Sequence, residues 1–214
     1  MAHNGVLFLD ELPEFQRQVL EVLRQPLEDR EVNISRARMS VTYPSSFMLV
    51  ASMNPSPSGE FYDPGQSNKD SEQDVKRYLN RISGPLLDRI DLHVEVNAVP
   101  YDELSARSKE ERSESVRTRV IQARELQRKR FGKHIELHCN AQLPPKMIEE
   151  YCRPDAAGSK ILKLAMDRLG MSARSYARIL KVARTIADLE GSEAVLSKHL
   201  AEAIQFRSLD RTLN

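Results

Sequence analysis

Two adjacent carboxylates, Asp10 and Glu11, directly follow a run of four apolar residues, Val6-Leu-Phe-Leu9. A short continuous apolar run reads as a strand buried on both faces, as in a parallel sheet. Ligands of such sheets bind beyond the carboxyl ends of their strands, and the two acids fall there. Two acids at that place are costly unless a metal ion or a reacting group uses them. The pattern is that of a Walker B element, with one carboxylate for Mg²⁺ and the next polarising a water for attack on a γ-phosphate. The plain alternative is a strand that ends at the surface with two solvated acids.

The elements that would position these groups follow from periodicity. Phe15, Val19, Val22, Leu23 and Leu27 recur at helical spacing over Glu14 to Leu27, and Pro13 suits the first turn of that helix. Glu31 to Ser35 and Met39 to Tyr43 alternate apolar and polar residues around Arg36-Ala-Arg38, which predicts a β-hairpin with a basic tip. Phe47 to Ala51 predicts a second buried strand, ending at Ser52-Met-Asn54. Pro55 to Asp74 reads as loop, Val75 to Ile82 as a short helix, and Leu92 to Val96 as a last strand. Pro100 closes this part, and a domain boundary is expected near it.

Beyond Glu103 the chain is helical and polar. Ser113 to Lys133 carries Arg117, Arg119, Arg124, Arg128, Lys129, Arg130 and Lys133 against only Glu114 and Glu125. Val116, Val120 and Ala123 share one face, and Arg117, Arg124 and Arg128 another. Such a basic face is ordinarily solvated, with contacts to nucleic acid or acidic protein as the alternative. Further helices are expected at Met147 to Cys152, Ala156 to Leu169, Ala173 to Glu190 and Ala194 to Phe206. Gly170 and Gly191 act as stops, and Ser172 as an N-cap. Tyr176, Ile179, Leu180, Ala183, Ile186 and Ala187 would line the core face of the third. The division expected is 1–100 as a partial α/β core, 101–135 as a basic helical linker and 136–214 as an α-helical domain.

Composition sets bounds. The 214 residues include 32 basic and 31 acidic side chains, so net charge gives no sign of a polyanionic partner and only local clusters can. The two cysteines, Cys139 and Cys152, are not at zinc spacing, which fits a reducing cytoplasm. His138 beside Cys139 reads as packing rather than a metal site. No apolar run approaches membrane-spanning length, and no signal-peptide pattern opens the chain.

The ordered set of a strand with two acids, a helix, a hairpin, a strand ending in Asn54 and then Leu86-Leu-Asp-Arg-Ile-Asp91 resembles the second half of an AAA+ ATPase core. The wording is similar to one branch of that class, the Mg-chelatase-like ATPases of the ComM/YifB type. The residues that carry the likeness are Gly5-Val-Leu-Phe-Leu-Asp-Glu-Leu-Pro-Glu14, Met53-Asn-Pro55, Tyr78-Leu-Asn-Arg-Ile-Ser-Gly-Pro-Leu-Leu-Asp-Arg-Ile-Asp-Leu-His-Val-Glu-Val96 and Ala203-Ile-Gln-Phe-Arg-Ser-Leu-Asp-Arg211. The fold so implied is an α/β AAA+ (P-loop NTPase) core with a β-hairpin before sensor 1, followed by a helical lid.

The resemblance implies roles as well. Asp10 would help hold Mg²⁺ through water, and Glu11 would orient the attacking water. Asn54 would be sensor 1, although an amide at a strand's end is otherwise commonly a turn former. Arg89 would be an arginine finger reaching a neighbouring subunit's ATP. In the monomer it would pair with Asp88 or Asp91. Arg174, near a helix start, would be sensor 2, the alternative being an ordinary surface arginine. Arg36 and Arg38 would track DNA phosphates from the hairpin tip, or simply form a solvent-exposed turn.

The implied protein is a hexameric, cytoplasmic, ATP- and Mg²⁺-dependent motor acting on DNA in branch migration during natural transformation and recombination. An ATPase subunit that inserts Mg²⁺ into a porphyrin, or a non-catalytic interaction module, are the alternatives. The chain departs from the family pattern in two places. No Gly-x-x-x-x-Gly-Lys-Ser/Thr occurs, so Walker A is expected upstream and the chain alone is expected to hydrolyse no ATP. The loop after Asn54-Pro55 holds no cysteine, so zinc binding does not carry over.

Overall fold

The computed structural model describes residues 2–36, 39–60, 69–96, 99, 111–132, 134, 136–207 and 209. It is a mixed α/β chain with two small sheets and many helices, and it divides into two units, residues 1–90 and 91–212.

The first unit runs β1 (Val6–Leu9), a 3-10 turn (Leu12–Glu14), α1 (Arg17–Val22), α2 (Arg24–Asp29), β2 (Glu31–Arg36), β3 (Met39–Pro44), β4 (Met48–Ala51), α3 (Glu72–Leu79) and α4 (Gly84–Leu87). The apolar run pairs as the sequence predicts. β1 and β4 are parallel, with Val6 opposite Met48 and Leu9 opposite Ala51. β2 and β3 form the antiparallel hairpin, with Arg36 opposite Met39. Arg38, at the expected tip, lies outside the described residues.

Burial of the strands on both faces is not what the unit shows. Val6, Phe8, Met48 and Val50 share one face of the two-stranded sheet and are 55%, 58%, 60% and 39% exposed. Two strands covered on one side cannot bury the other. The core of the unit instead gathers Leu12, Leu20, Tyr78, Leu79, Ile82, Leu86 and Leu87 from the turn and helices. The single helix expected from Glu14 to Leu27 is two helices. Pro13 opens the 3-10 turn rather than α1, and Leu23 caps α1 and starts α2.

The second unit runs α5 (Ser113–Phe131), a 3-10 turn (Asn140–Gln142), α6 (Pro145–Tyr151), α7 (Ala156–Leu169), α8 (Ala173–Glu190) and α9 (Ser197–Gln205). α8 is its spine, packed by α5, α6 and α9, and α7 packs on α9. Ile179, Leu180, Ala183 and Ala187 of α8 are buried as expected, but Tyr176 is 42% exposed. Ser172 caps α8 by accepting from the Ser175 N–H, and Gly170 and Gly191 close α7 and α8 in the left-handed conformation. The expected strand at Leu92 to Val96 does not form. The His93 N–H is donated to the Phe206 carbonyl of the helical unit at 2.7 Å, and Asp91 pairs with Arg178.

α8 also carries charge inside the core. Asp188 is fully buried, ion-paired to Arg130 of α5 and to Arg184 one turn earlier, and it accepts from Asn140 Nδ2 at 2.8 Å. Burial raises the Asp188 carboxyl, but the hydrogen bonds from Arg130 and Asn140 outweigh it, and the group sits below its usual range. Burial lowers Arg184, whose remaining N–H groups donate to the Ser192 and Glu193 carbonyls. Cys152, in the same core, is pushed up to about 11 by burial and is inert as a thiolate.

Candidate active site

The parallel pairing of β1 with β4 sets the site. Because Leu9 stands opposite Ala51, both strands end together, and Asp10 and Ser52 emerge side by side. The ladder continues past the strands, since the Ser52 N–H donates to the Leu9 carbonyl (3.0 Å) and the Leu12 N–H to the Ser52 carbonyl (2.9 Å). The Ser52 hydroxyl donates to Asp10 Oδ1. The Glu11 N–H donates to the same oxygen at 3.1 Å and to Ser52 Oγ at 3.4 Å.

These contacts fix Glu11 in an unusual backbone state, φ 51 and ψ 51. A non-glycine residue there costs about 1 kcal/mol or more, so the surrounding hydrogen bonds must hold it. The strain turns the chain sharply into the 3-10 turn and leaves both carboxylates exposed at the strand ends. Oδ1 of Asp10 is engaged, while Oδ2 takes no hydrogen bond among the described residues. An exposed carboxylate with one open oxygen fits Mg²⁺, which binds through one or two carboxylates and keeps several waters. Among the described residues no group of three or more His, Cys, Asp or Glu is placed to cage a metal.

Asn54 follows two residues after Ser52 and is exposed. Its backbone hydrogen-bonds the Tyr78 hydroxyl, and burial raises that phenol above its ordinary value. Tyr78 thus braces the Asn54 loop from α3. Arg81, one turn on, lies 5.8 Å from the Tyr78 ring centre. It bonds Glu14 at 2.7 Å and the Pro13 carbonyl at 3.4 Å, so it anchors the turn that carries Glu11.

Arg89 is placed differently from expectation. Its side chain is only 8% exposed, its Nη1 donates to the Pro85 carbonyl at 2.6 Å, and its ion pair is with Glu28 of α2. Neither expected partner, Asp88 nor Asp91, forms this ion pair, and Asp91 is held by Arg178. Ser83 caps α4, and the Arg89 N–H continues the turn by donating to the Leu86 carbonyl at 2.9 Å. Arg36 is exposed at the end of β2. Arg174 belongs to the other unit, as the exposed second residue of α8.

Four residues of this arrangement carry no role in the motifs. Ser52 and Glu28 have no signal in one sequence. Tyr78 and Arg81 do, since both stand in the Tyr78-Leu-Asn-Arg81 block that carries the family likeness.

A parallel strand pair with two acids at its end, joined to a helical unit, defines a class, and known sequences agree on which. Family models for the magnesium chelatase subunit ChlI match residues 1–104, and for its C-terminal part residues 110–207. The chain belongs to this magnesium chelatase-like family. It is similar to competence protein ComM of Haemophilus influenzae, 49% identical over all 214 residues and 41% of that protein. YifB of Escherichia coli is 45% identical over the whole chain and 41% of its own length. Maternal DNA replication licensing factor mcm6 of Xenopus tropicalis is 23% identical across the chain, covering 25% of that protein. The chain thus spans about two fifths of the length of the ComM and YifB relatives. No helix among the described residues is long and apolar enough to cross a membrane.

Proposed function

We propose that this chain supplies the water-activating, sensing and lid parts of a ring-forming AAA+ ATPase that moves on DNA. The observation that carries the reading is the Asp10–Ser52 contact at the paired ends of β1 and β4, with Glu11 strained beside it. Asp10 would help hold Mg²⁺, and Glu11 would accept a proton from, and aim, the water that attacks the γ-phosphate of ATP. Mg²⁺, when bound, neutralises charge on the phosphate oxygens. Asn54, braced by Tyr78, hydrogen-bonds the γ-phosphate or that water. Arg174 adds positive charge at the start of α8, where free N–H groups already favour anions. Arg89 serves a neighbouring copy in a hexamer, which requires that it leave Glu28.

The DNA assignment draws on the relatives, one a competence protein and another a replication licensing factor. Branch migration during uptake and recombination of DNA, in the cytoplasm, is the activity proposed, with Arg36 and Arg38 on the phosphates. Metal insertion is the second reading, favoured by the family's own description as magnesium chelatase. No Walker A sequence occurs in these 214 residues, so turnover is measured in a protein that also carries one. In that protein Glu11→Gln should lower ATP turnover by about 10²-fold or more while nucleotide binding persists. Turnover unchanged by Glu11→Gln sinks the catalytic assignment. DNA-stimulated turnover favours the motor, and porphyrin-stimulated turnover the chelatase.

A further inference from the structure

The helix α5 has two unlike faces. Ala123, Gln127 and Phe131 are buried, and Arg130 turns inward to Asp188. Arg117, Arg124 and Arg128 stand at i, i+7 and i+11, within an arc of about 40° around the axis, and all three are exposed. They span about 16 Å of helix, in steps of about 10 and 6 Å.

The charges on this stripe are unlike the others of the same helix. Arg119 is clamped by both oxygens of Glu111, and Arg130 is consumed by the core. Among the described residues Arg124 donates only to the neutral Gln127 amide, at 3.2 Å. Arg117, Arg128 and the adjacent Lys129 pair with no carboxylate among the described residues. The acids of the helix, Glu114 and Glu125, lie to one side of the stripe, about 60–80° around the axis. Ile121 and Val120 flank the stripe on opposite sides as exposed apolar residues, and no exposed aromatic accompanies them among the described residues. A protein partner is favoured by aromatic anchors, which this face does not expose. A row of guanidinium forks instead suits a regular row of phosphates.

We infer that the outward face of α5 binds the phosphate backbone of duplex DNA, without sequence preference, as a contact separate from the hairpin. The helix lies along one backbone, and each of its three arginines displaces counterions from the duplex. The inference rests on the reading that this protein acts on DNA.

The test is fluorescence anisotropy of a labelled duplex with the 214-residue chain at 50 to 200 mM salt. A triple variant, Arg117→Gln, Arg124→Gln and Arg128→Gln, removes charge while keeping good helix formers. A control triple, Lys146→Gln, Lys160→Gln and Lys163→Gln, removes the same charge from exposed positions of α6 and α7. The stripe variant should lose affinity about tenfold or more, and the slope of log affinity on log salt should flatten by about 2 to 3. The control should lose far less, and circular dichroism should show both variants folded.

Equal losses in the two triples would reduce the effect to overall charge and overturn the inference. Unchanged binding by the stripe variant would also overturn it, leaving the DNA reading to the hairpin. If the unaltered chain binds no duplex, both the reading and the inference fall. Competition by polyglutamate as effective as by duplex would assign the stripe to an acidic protein, against the proposal.

Discussion

Arg89 shows how far a residue's type can mislead about its surroundings. Its position in Leu-Leu-Asp-Arg-Ile-Asp suggests an outward guanidinium with a neighbouring acid, yet the structure turns it inward onto Glu28 and the Pro85 carbonyl. Two consequences follow from that placement. Arg89→Ala removes a nearly buried charge and should cost stability. Because Glu28 is 42% exposed, the pair is partly screened and the loss is held to about 1–2 kcal/mol, a fall in Tm of about 2–8 °C. Glu28→Gln keeps an accepting oxygen and should cost less than Arg89→Ala. Thermal melting of the two variants checks both statements, and a larger loss in Glu28→Gln would contradict them. Single residues were therefore legible by type and not by partner. Asp10 and Glu11 stood out because two acids after a buried-type strand are chemically expensive. Ser52 and Glu28, which complete their environments, are ordinary polar residues until the chain folds.

Elements were more legible where periodicity is long. α7 and α8 begin and end where the 3.6-residue pattern and their capping residues place them. The hairpin registered as expected because its alternation fixes which side chains face together. One short pattern failed. Leu92 to Val96 alternates like a strand but forms none, and the Phe206 carbonyl takes the His93 N–H.

The buried charges of α8 were equally hidden, since Arg184 and Asp188 at i and i+4 look like a surface pair. They are instead the joint between α8, α5 and the Asn140 turn. Asp188→Asn would leave Arg130 and Arg184 without their counter-charge and should destabilise the helical unit by about 3–5 kcal/mol near neutral pH. The pH dependence has a definite sign. The folded carboxyl titrates below its ordinary value, so the stabilisation is complete above about pH 4. It is lost as pH falls through the folded value. Melting from pH 7 down to pH 2 should therefore show the parent weakening steeply in acid and Asp188→Asn much less. Parallel curves would mean that Asp188 is not the group responsible.

At the scale of the molecule, the groups proposed for catalysis do not share one piece of chain. Asp10, Glu11 and Asn54 lie at the ends of β1 and β4, while Arg89 is directed into its own unit beside α2. If Arg89 acts on a neighbour's ATP, as proposed, a complete site is shared between two copies. Each copy then contributes its acids to one interface and its arginine to the next, a head-to-tail arrangement that closes as a ring. This makes a quantitative prediction for a full-length protein with Walker A. Rings of Glu11→Gln subunits alone, or of Arg89→Ala subunits alone, should turn over little ATP. In an equal mixture, random assembly gives an intact Glu11 facing an intact Arg89 at about a quarter of interfaces. Mixed rings should recover activity up to that share if sites fire independently, and less if neighbours must act in turn. The same mixture should show no recovery if Arg89 works only in its own subunit, holding α4 to α2 through Glu28. Turnover measured against mixing ratio distinguishes the two, because a shared site peaks near equal proportions and a site within one subunit stays flat.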